Sequence, residues 1–307
     1  MKKNHSIVVP VYKSKYILAK LVERISKIMN DSQILFELIL VDDGSNDGSF
    51  EEIKRLAGEH DFIHGIRLSR NFGHQAALTI GLKEAQGEYI AIIDDDLQDP
   101  PEILPEFFKS LYNGADVVYG VRHQRKEGAI KKVLYSGFYR LLSLLSKVNI
   151  PPDAGDFCAM KRYVVDALLQ LKEANPFLRG TRAWVGFKQI GIKYERAARH
   201  HGRSGYTLRK YFEFALSGIL MFSYLPLRIA TYLGIFAFII SMLYAVSIIT
   251  IWFIKPFNVS GYLSLVVLIT FLGGVQLISI GVIGEYIARL NDNVRGWPVA
   301  IVAEKTV

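Results

Sequence analysis

Cysteine is almost absent: Cys158 is the only one in 307 residues. An intrachain disulfide is therefore impossible, and a zinc site built on several cysteines is excluded. The lone thiol, followed by Ala159-Met160, reads as packing. Acid is scarce relative to base, with 29 Asp and Glu against 37 Lys and Arg, for a net charge of +8. Such a balance points to anionic partners such as phosphates or acidic lipid. No nucleic-acid-binding module is visible, so nucleic acid is not an expected partner. The apolar stretch after Met1-Lys2-Lys3 is short and broken by Pro10, so no secretory signal is expected. Charge is missing altogether from Ile229 to Ile254 and from Tyr262 to Gly284.

What is present is ordered. Strands are expected at 6–11, 38–41, 63–68 and 89–93, with a short one from Asp116 to Tyr119. Helices are expected at 17–30, 49–58, 75–84 and 101–112. Alternation of this kind argues for a doubly wound α/β fold with a mostly parallel sheet. Ser49 is expected to cap the second helix, with Glu51 and Glu52 in its first turn. Lys131 to Val148 is amphipathic and basic, which suits a domain helix or one lying in a membrane interface.

Two acidic clusters end apolar strands. Asp42 and Asp43 follow Leu38 to Val41, and Asp94-Asp95-Asp96 follow Tyr89 to Ile93. Ligands bind at such strand ends in open α/β sheets. Two carboxylates one residue apart suit a hard divalent cation, Mg²⁺ or Mn²⁺, which in turn suits a diphosphate. Alternate side chains of an extended segment share a face, so Asp94 and Asp96 are expected to hold the metal while Asp95 faces the donor sugar or ribose.

With these residues the chain resembles glycosyltransferase family 2, of the GT-A fold. It looks most like the polyprenyl-phosphate glycosyltransferases with a two-helix C-terminal anchor. That group includes the bactoprenol glucosyltransferases of O-antigen glucosylation and the dolichyl-phosphate mannose synthases. The carriers are Val8 to Tyr12, Val41 to Ser45, Leu68 to Gly73, Asp94 to Pro101, Asp153 to Phe157 and Gly202 to Tyr206. Two departures are Lys13-Ser14, where Asn-Glu is usual, and Gly205, where lysine is common.

The resemblance implies inverting transfer of a hexose to undecaprenyl phosphate. The donor is expected to be UDP-glucose, with mannose or aminoarabinose transfer as the alternative. Pro10, Tyr12, Asp42, Asp43, Arg70 and Asp95 are the expected nucleotide-sugar residues. Asp156 is the expected catalytic residue beside the acceptor, with Asp153 next and Asp96 contributing. A phosphate acceptor has its second pKa near ~6 and needs little help losing a proton, so Asp156 either positions or deprotonates it. Arg203, Arg199 and Arg122 are the expected ligands of the acceptor phosphate. A processive polysaccharide synthase is disfavoured, because Arg179 to Trp184 lacks the Gln-x-x-Arg-Trp spacing. A non-catalytic scaffold that binds nucleotide-sugar is disfavoured by the intact acids.

Both uncharged segments exceed the ~20 residues that cross a bilayer. Arg209, Lys210 and Arg228 precede them, Arg289 and Arg295 follow, and the intervening turn has only Lys255. The positive-inside rule then places both ends in the cytoplasm, and the resemblance implies a bacterial inner membrane. The expected organisation is a cytoplasmic GT-A domain over 1–206 and an interfacial helix or linker over 207–228. A transmembrane hairpin over 229–288 follows, with spans near 229–254 and 262–284, and then a cytoplasmic tail over 289–307. A homo-oligomer is compatible with so small an anchor.

Overall fold

The computed structural model describes residues 4–123, 154–171, 176–195, 225–254 and 261–306. The helix expected over Lys131 to Val148 and most of the 207–228 linker lie outside them.

An eight-stranded mixed sheet organises the first compact unit. Its strands are β1 (His5–Val11), β2 (Phe36–Asp42), β3 (Ile63–Leu68), β4 (Tyr89–Ile92), β5 (Val117–His123), β6 (Ala154–Lys161), β7 (Gln189–Glu195) and β8 (Val302–Lys305). They lie in the order β7-β5-β6-β4-β1-β2-β3-β8. β1 pairs in parallel with β2 and β4, and β2 with β3. β6 runs antiparallel to both β4 and β5, and β8 antiparallel to β3. The residues expected as a tail therefore supply an edge strand.

Side-chain alternation explains why β1 and β2 are continuous apolar runs. Ile7, Val9, Val11, Leu38 and Leu40 enter one buried cluster, while Val8, Ile39 and Val41 enter the other. A strand covered on both faces has no polar side. α1 (Lys15–Asp31), α2 (Ser49–Glu59) and α4 (Leu104–Tyr112) close the first face with Leu18, Leu21, Ile25, Phe50, Ile53, Phe107 and Phe108. α3 (His74–Glu84) and α5 (Arg162–Gln170) close the second with Ala77, Leu78, Leu82, Val164 and Val165. Cys158 is buried in β6 as a free thiol. α6 (Leu178–Trp184) leads to β7.

The start of α2 differs from expectation. Gly48, at φ +88, occupies the N-cap position, and Ser49 is already helical. The backbone N–H and hydroxyl of Ser49 both donate to Asp47 Oδ1, at 3.1 and 2.6 Å. Asp47 therefore satisfies the helix start, because its carboxylate reaches an orphan donor that a serine inside the helix cannot.

Gly44 holds the turn after β2 at φ +67. A Cβ there would lie 2.5 Å from the backbone carbon of Arg70. Backbone cannot give way, and the left-handed conformation adds its own strain. Gly44→Ala is expected to destabilise the domain by about 2 kcal/mol or more, read as a lower urea midpoint.

The second unit contains α7 (Leu225–Ile254) and α8 (Tyr262–Arg295), which pack against each other. Both are long and apolar enough to cross a membrane, over Leu227–Tyr244 and Phe271–Arg295. Their apolar side chains point outward, with Phe238 68% and Leu277 72% exposed. A helix that is apolar all round and uncovered matches a lipid solvent better than water.

Candidate active site

The parallel strands β1, β2 and β4 end on one edge of the sheet. β2 and β3 lie to one side of β1 and β4 to the other, so β1 and β4 flank the switch point where such sheets bind ligands. Pairing of β4 with β1 stops at Val8–Ile92. Pro10 lies just beyond, where its missing N–H costs no ladder bond. Tyr12, Asp42, Asp43 and Asp94 to Asp96 all follow from these strand ends.

Asp94 is the most constrained of them. Its Oδ1 is buried and accepts no hydrogen bond from a described residue. His74 Nε2 lies 3.7 Å from it. Burial pushes the Asp94 carboxyl up to about 7; His74 opposes the shift, and Asp99, Asp156 and Asp96 add to it. A carboxylate oxygen withdrawn from water without a donor is costly, and a bound cation relieves that cost. Asp96 lies two residues on, its Oδ1 accepting the Gln98 N–H at 3.1 Å. No three His, Cys, Asp or Glu side chains among the described residues form a metal cage. A divalent ion here fits if other oxygens, such as those of a diphosphate, complete its shell.

Asp156, in β6, has a side chain only 4% exposed. Arg179 grips it twice: Nε donates to Oδ1 at 2.8 Å and Nη2 to Oδ2 at 2.9 Å. Gln75 Nε2 donates to Oδ2 at 3.2 Å, and His74 Nε2 lies 3.3 Å from it. Gln75 also accepts the Leu178 N–H at 2.9 Å, joining the start of α3 to that of α6. Burial alone would raise the Asp156 carboxyl, but Arg179 and His74 hold it well below the usual range. For His74, burial opposes the charge, yet the Asp156 hydrogen bond and the Asp94 charge lift it to about 9. His74 is thus a cation shared by two carboxylates.

The other expected residues are placed as follows. Both oxygens of Asp42 accept from the Ser45 N–H, at 3.2 and 3.3 Å. Asp43 accepts from the N–H groups of Phe72 and Gly73 at 2.7 and 3.0 Å, shaping the loop that opens α3. Tyr12 is exposed, with the Lys13 ammonium 5.3 Å from its ring centroid. Arg70 is exposed, its guanidinium 4.0 Å above the Phe72 ring. Asp95 meets the loop that follows β1. Its Oδ2 accepts the Tyr12 N–H at 3.1 Å and the Ser14 hydroxyl at 2.5 Å. Asp153, Arg199 and Arg203 lie outside the described residues, as does the side chain of Arg122.

His74, Gln75 and Arg179 escaped the sequence reading. The Leu68 to Gly73 motif stops one residue short of His74. Arg179 was read only against a polysaccharide-synthase motif. Gln75 and Asp156 are 81 residues apart and Arg179 and Asp156 are 23 apart, so no local pattern links them.

Residues 6–169 match the model of glycosyl transferase family 2, and residues 225–290 match the GtrB C-terminal hairpin. The chain is 41% identical over 299 residues to the uncharacterized glycosyltransferase YkcC of Bacillus subtilis, covering 97% of this chain and 93% of that protein. It is 38% identical over 300 residues to the SfII prophage-derived bactoprenol glucosyl transferase of Shigella flexneri, covering 97% and 96%. Among solved structures, the glucosyl-3-phosphoglycerate synthase of Mycobacterium tuberculosis aligns at a TM-score of 0.49 and 17% identity, over 71% of this chain and 78% of that one. An acid-lined sheet edge, two apolar helices and likeness along nearly the whole chain lead to one conclusion: this protein belongs to glycosyl transferase family 2 and is a glycosyltransferase ending in a GtrB-type hairpin.

Proposed function

We propose that this enzyme transfers glucose from UDP-glucose to undecaprenyl phosphate, with inversion at the sugar's anomeric carbon. The observation that carries the reading is the buried Oδ1 of Asp94, which accepts no hydrogen bond from a described residue, at the switch point of the sheet. The names of relatives such as the bactoprenol glucosyl transferase of Shigella phage SfV support the sugar and the lipid.

A phosphate monoester is largely dianionic at pH 7. Its oxygen forms the new bond to the sugar carbon as the bond from that carbon to the diphosphate breaks, and UDP carries the electron pair away. No proton must be removed. Asp156 therefore orients a partner in this reading, since Arg179 keeps it a weak base. Mg²⁺ or Mn²⁺ held by Asp94 and Asp96 would supply Lewis-acid neutralisation of the departing diphosphate. His74 adds a fixed positive charge beside the same acids, and Tyr12 offers a ring for the base. Arg122, Arg199 and Arg203 are assigned to the acceptor phosphate.

The two apolar helices are assigned to the bacterial inner membrane, with the catalytic domain in the cytoplasm. The limits assigned are 1–206, 207–228, 229–288 and 289–307, although α7 begins at Leu225, α8 runs to Arg295, and residues 302–305 join the sheet.

Purified protein with undecaprenyl phosphate and Mg²⁺ or Mn²⁺, offered a panel of radiolabelled UDP- and GDP-sugars, tests this. Lipid-extractable label from UDP-glucose is expected, with a β-anomeric product by NMR. Label from another donor alone overturns the glucose assignment, and an α product overturns inversion.

A further inference from the structure

The loop after β1 is pinned from two sides. On the β2 side, the Lys13 N–H donates to Ser45 Oγ at 2.9 Å and the Ser14 N–H to Ser49 Oγ at 3.0 Å. On the β4 side, Asp95 Oδ2 takes the Tyr12 N–H and the Ser14 hydroxyl. Between these anchors Lys13 sits at φ 55. A lysine rarely holds that conformation unless its surroundings impose it, and such strain gathers at working sites. Ser14 makes bonds in both directions: it is the point where the three strand ends are tied. Both Asp95 bonds run to the same oxygen, which matters for the test.

We propose that Asp95 is a positioning residue: with Ser14 it fastens the Tyr12–Ser14 loop to the acidic loop, setting the spacing between the nucleotide-base side and the metal side of the site. This rests on the nucleotide-sugar reading above. Asp95 lies between two proposed metal ligands yet works through the backbone of a neighbouring loop. A donor that spans base to diphosphate needs both loops at a fixed separation. Loosening the tie weakens donor binding before it slows bond exchange, because alternative loop positions compete with the bound one.

The test uses the full chain and two readouts. One is the KM and kcat for UDP-glucose at saturating undecaprenyl phosphate, with the Mn²⁺ requirement measured in parallel. The other is amide hydrogen exchange at Tyr12 and Lys13 without ligand, which needs no assumption about the donor. Ser14→Ala is expected to raise KM about tenfold, the scale of one lost charge-assisted hydrogen bond, and Asp95→Ala, which loses two, to raise it further. They leave kcat within about threefold and speed exchange of the two amides. The double variant is expected to be no worse than Asp95→Ala alone. Asp95→Asn keeps a carbonyl oxygen able to accept both bonds, so it is expected to restore KM and slow exchange. If Asp95→Asn is as impaired as Asp95→Ala and needs more Mn²⁺, the residue acts through its charge and the proposal is wrong. Wild-type KM and exchange in Ser14→Ala overturn it too. Should the wild type make no glycolipid from UDP-glucose, the donor reading fails, and the exchange comparison still decides the positioning role.

Discussion

Asp94→Ala is expected to lower glycolipid synthesis by about 10³-fold, because loss of a metal ligand forfeits several kcal/mol of charge stabilisation as the diphosphate departs. Its Oδ1 is buried and accepts no hydrogen bond from a described residue, with His74 Nε2 3.7 Å away, and a bound divalent cation would relieve that cost. Asp96→Ala should produce a loss of the same kind, and EDTA should mimic both in the wild type, reversed by added Mn²⁺. The pH dependence of metal affinity has a definite sign. Burial raises the Asp94 carboxyl to about 7. Below that pH a metal must displace a proton, so half-saturating Mn²⁺ should rise about tenfold per unit as pH falls, and level off above it. Titrations of activity against Mn²⁺ between pH 6 and 8 would show this. Full activity of Asp94→Ala in EDTA would end the metal reading.

Arg179→Ala should damage both the fold and the chemistry. Asp156 is almost wholly buried, and Arg179 supplies two of its hydrogen bonds. Removing one partner of a buried pair strands the other, at a cost of about 3 kcal/mol or more. The readouts are a lower melting temperature and kcat reduced by about 100-fold, the penalty for a misplaced active-site group. Asp156→Asn is the informative companion. Asp156 binds its proton less readily in the folded chain than the ordinary value of 3.8. It therefore contributes stability above that pH and loses it as pH falls further. Across assay pH it is always ionised. Asp156→Asn should then lower kcat evenly from pH 6 to 8.5 without moving the profile. Loss of one limb of the profile would instead make it a base.

The outline of this molecule was legible in one dimension where burial is total. β1, β2 and β4 are largely apolar because both faces are covered, so their strand ends and acids could be placed by reading alone. The two uncharged segments were equally plain, since a span needs length and apolarity and nothing else. β6 and β8 were not legible. Ala154–Lys161 mixes Gly155, Asp156 and Lys161 with apolar residues, and Val302–Lys305 is short and half charged. β8 becomes a strand because the open edge beside β3 accepts its backbone, and β6 because β4 and β5 accept it from both sides.

The amino-acid order by itself determined the family, the acidic strand ends and the apolar hairpin, all of which depend on neighbours in the chain. Only the tertiary structure decided which donors reach each acid. It tied Asp95 to Ser14, gave Asp43 to the loop before α3, and closed Arg179, Gln75 and His74 around Asp156. A charge takes its role from the donors that reach it through space, and those donors arrive from other strands and helices.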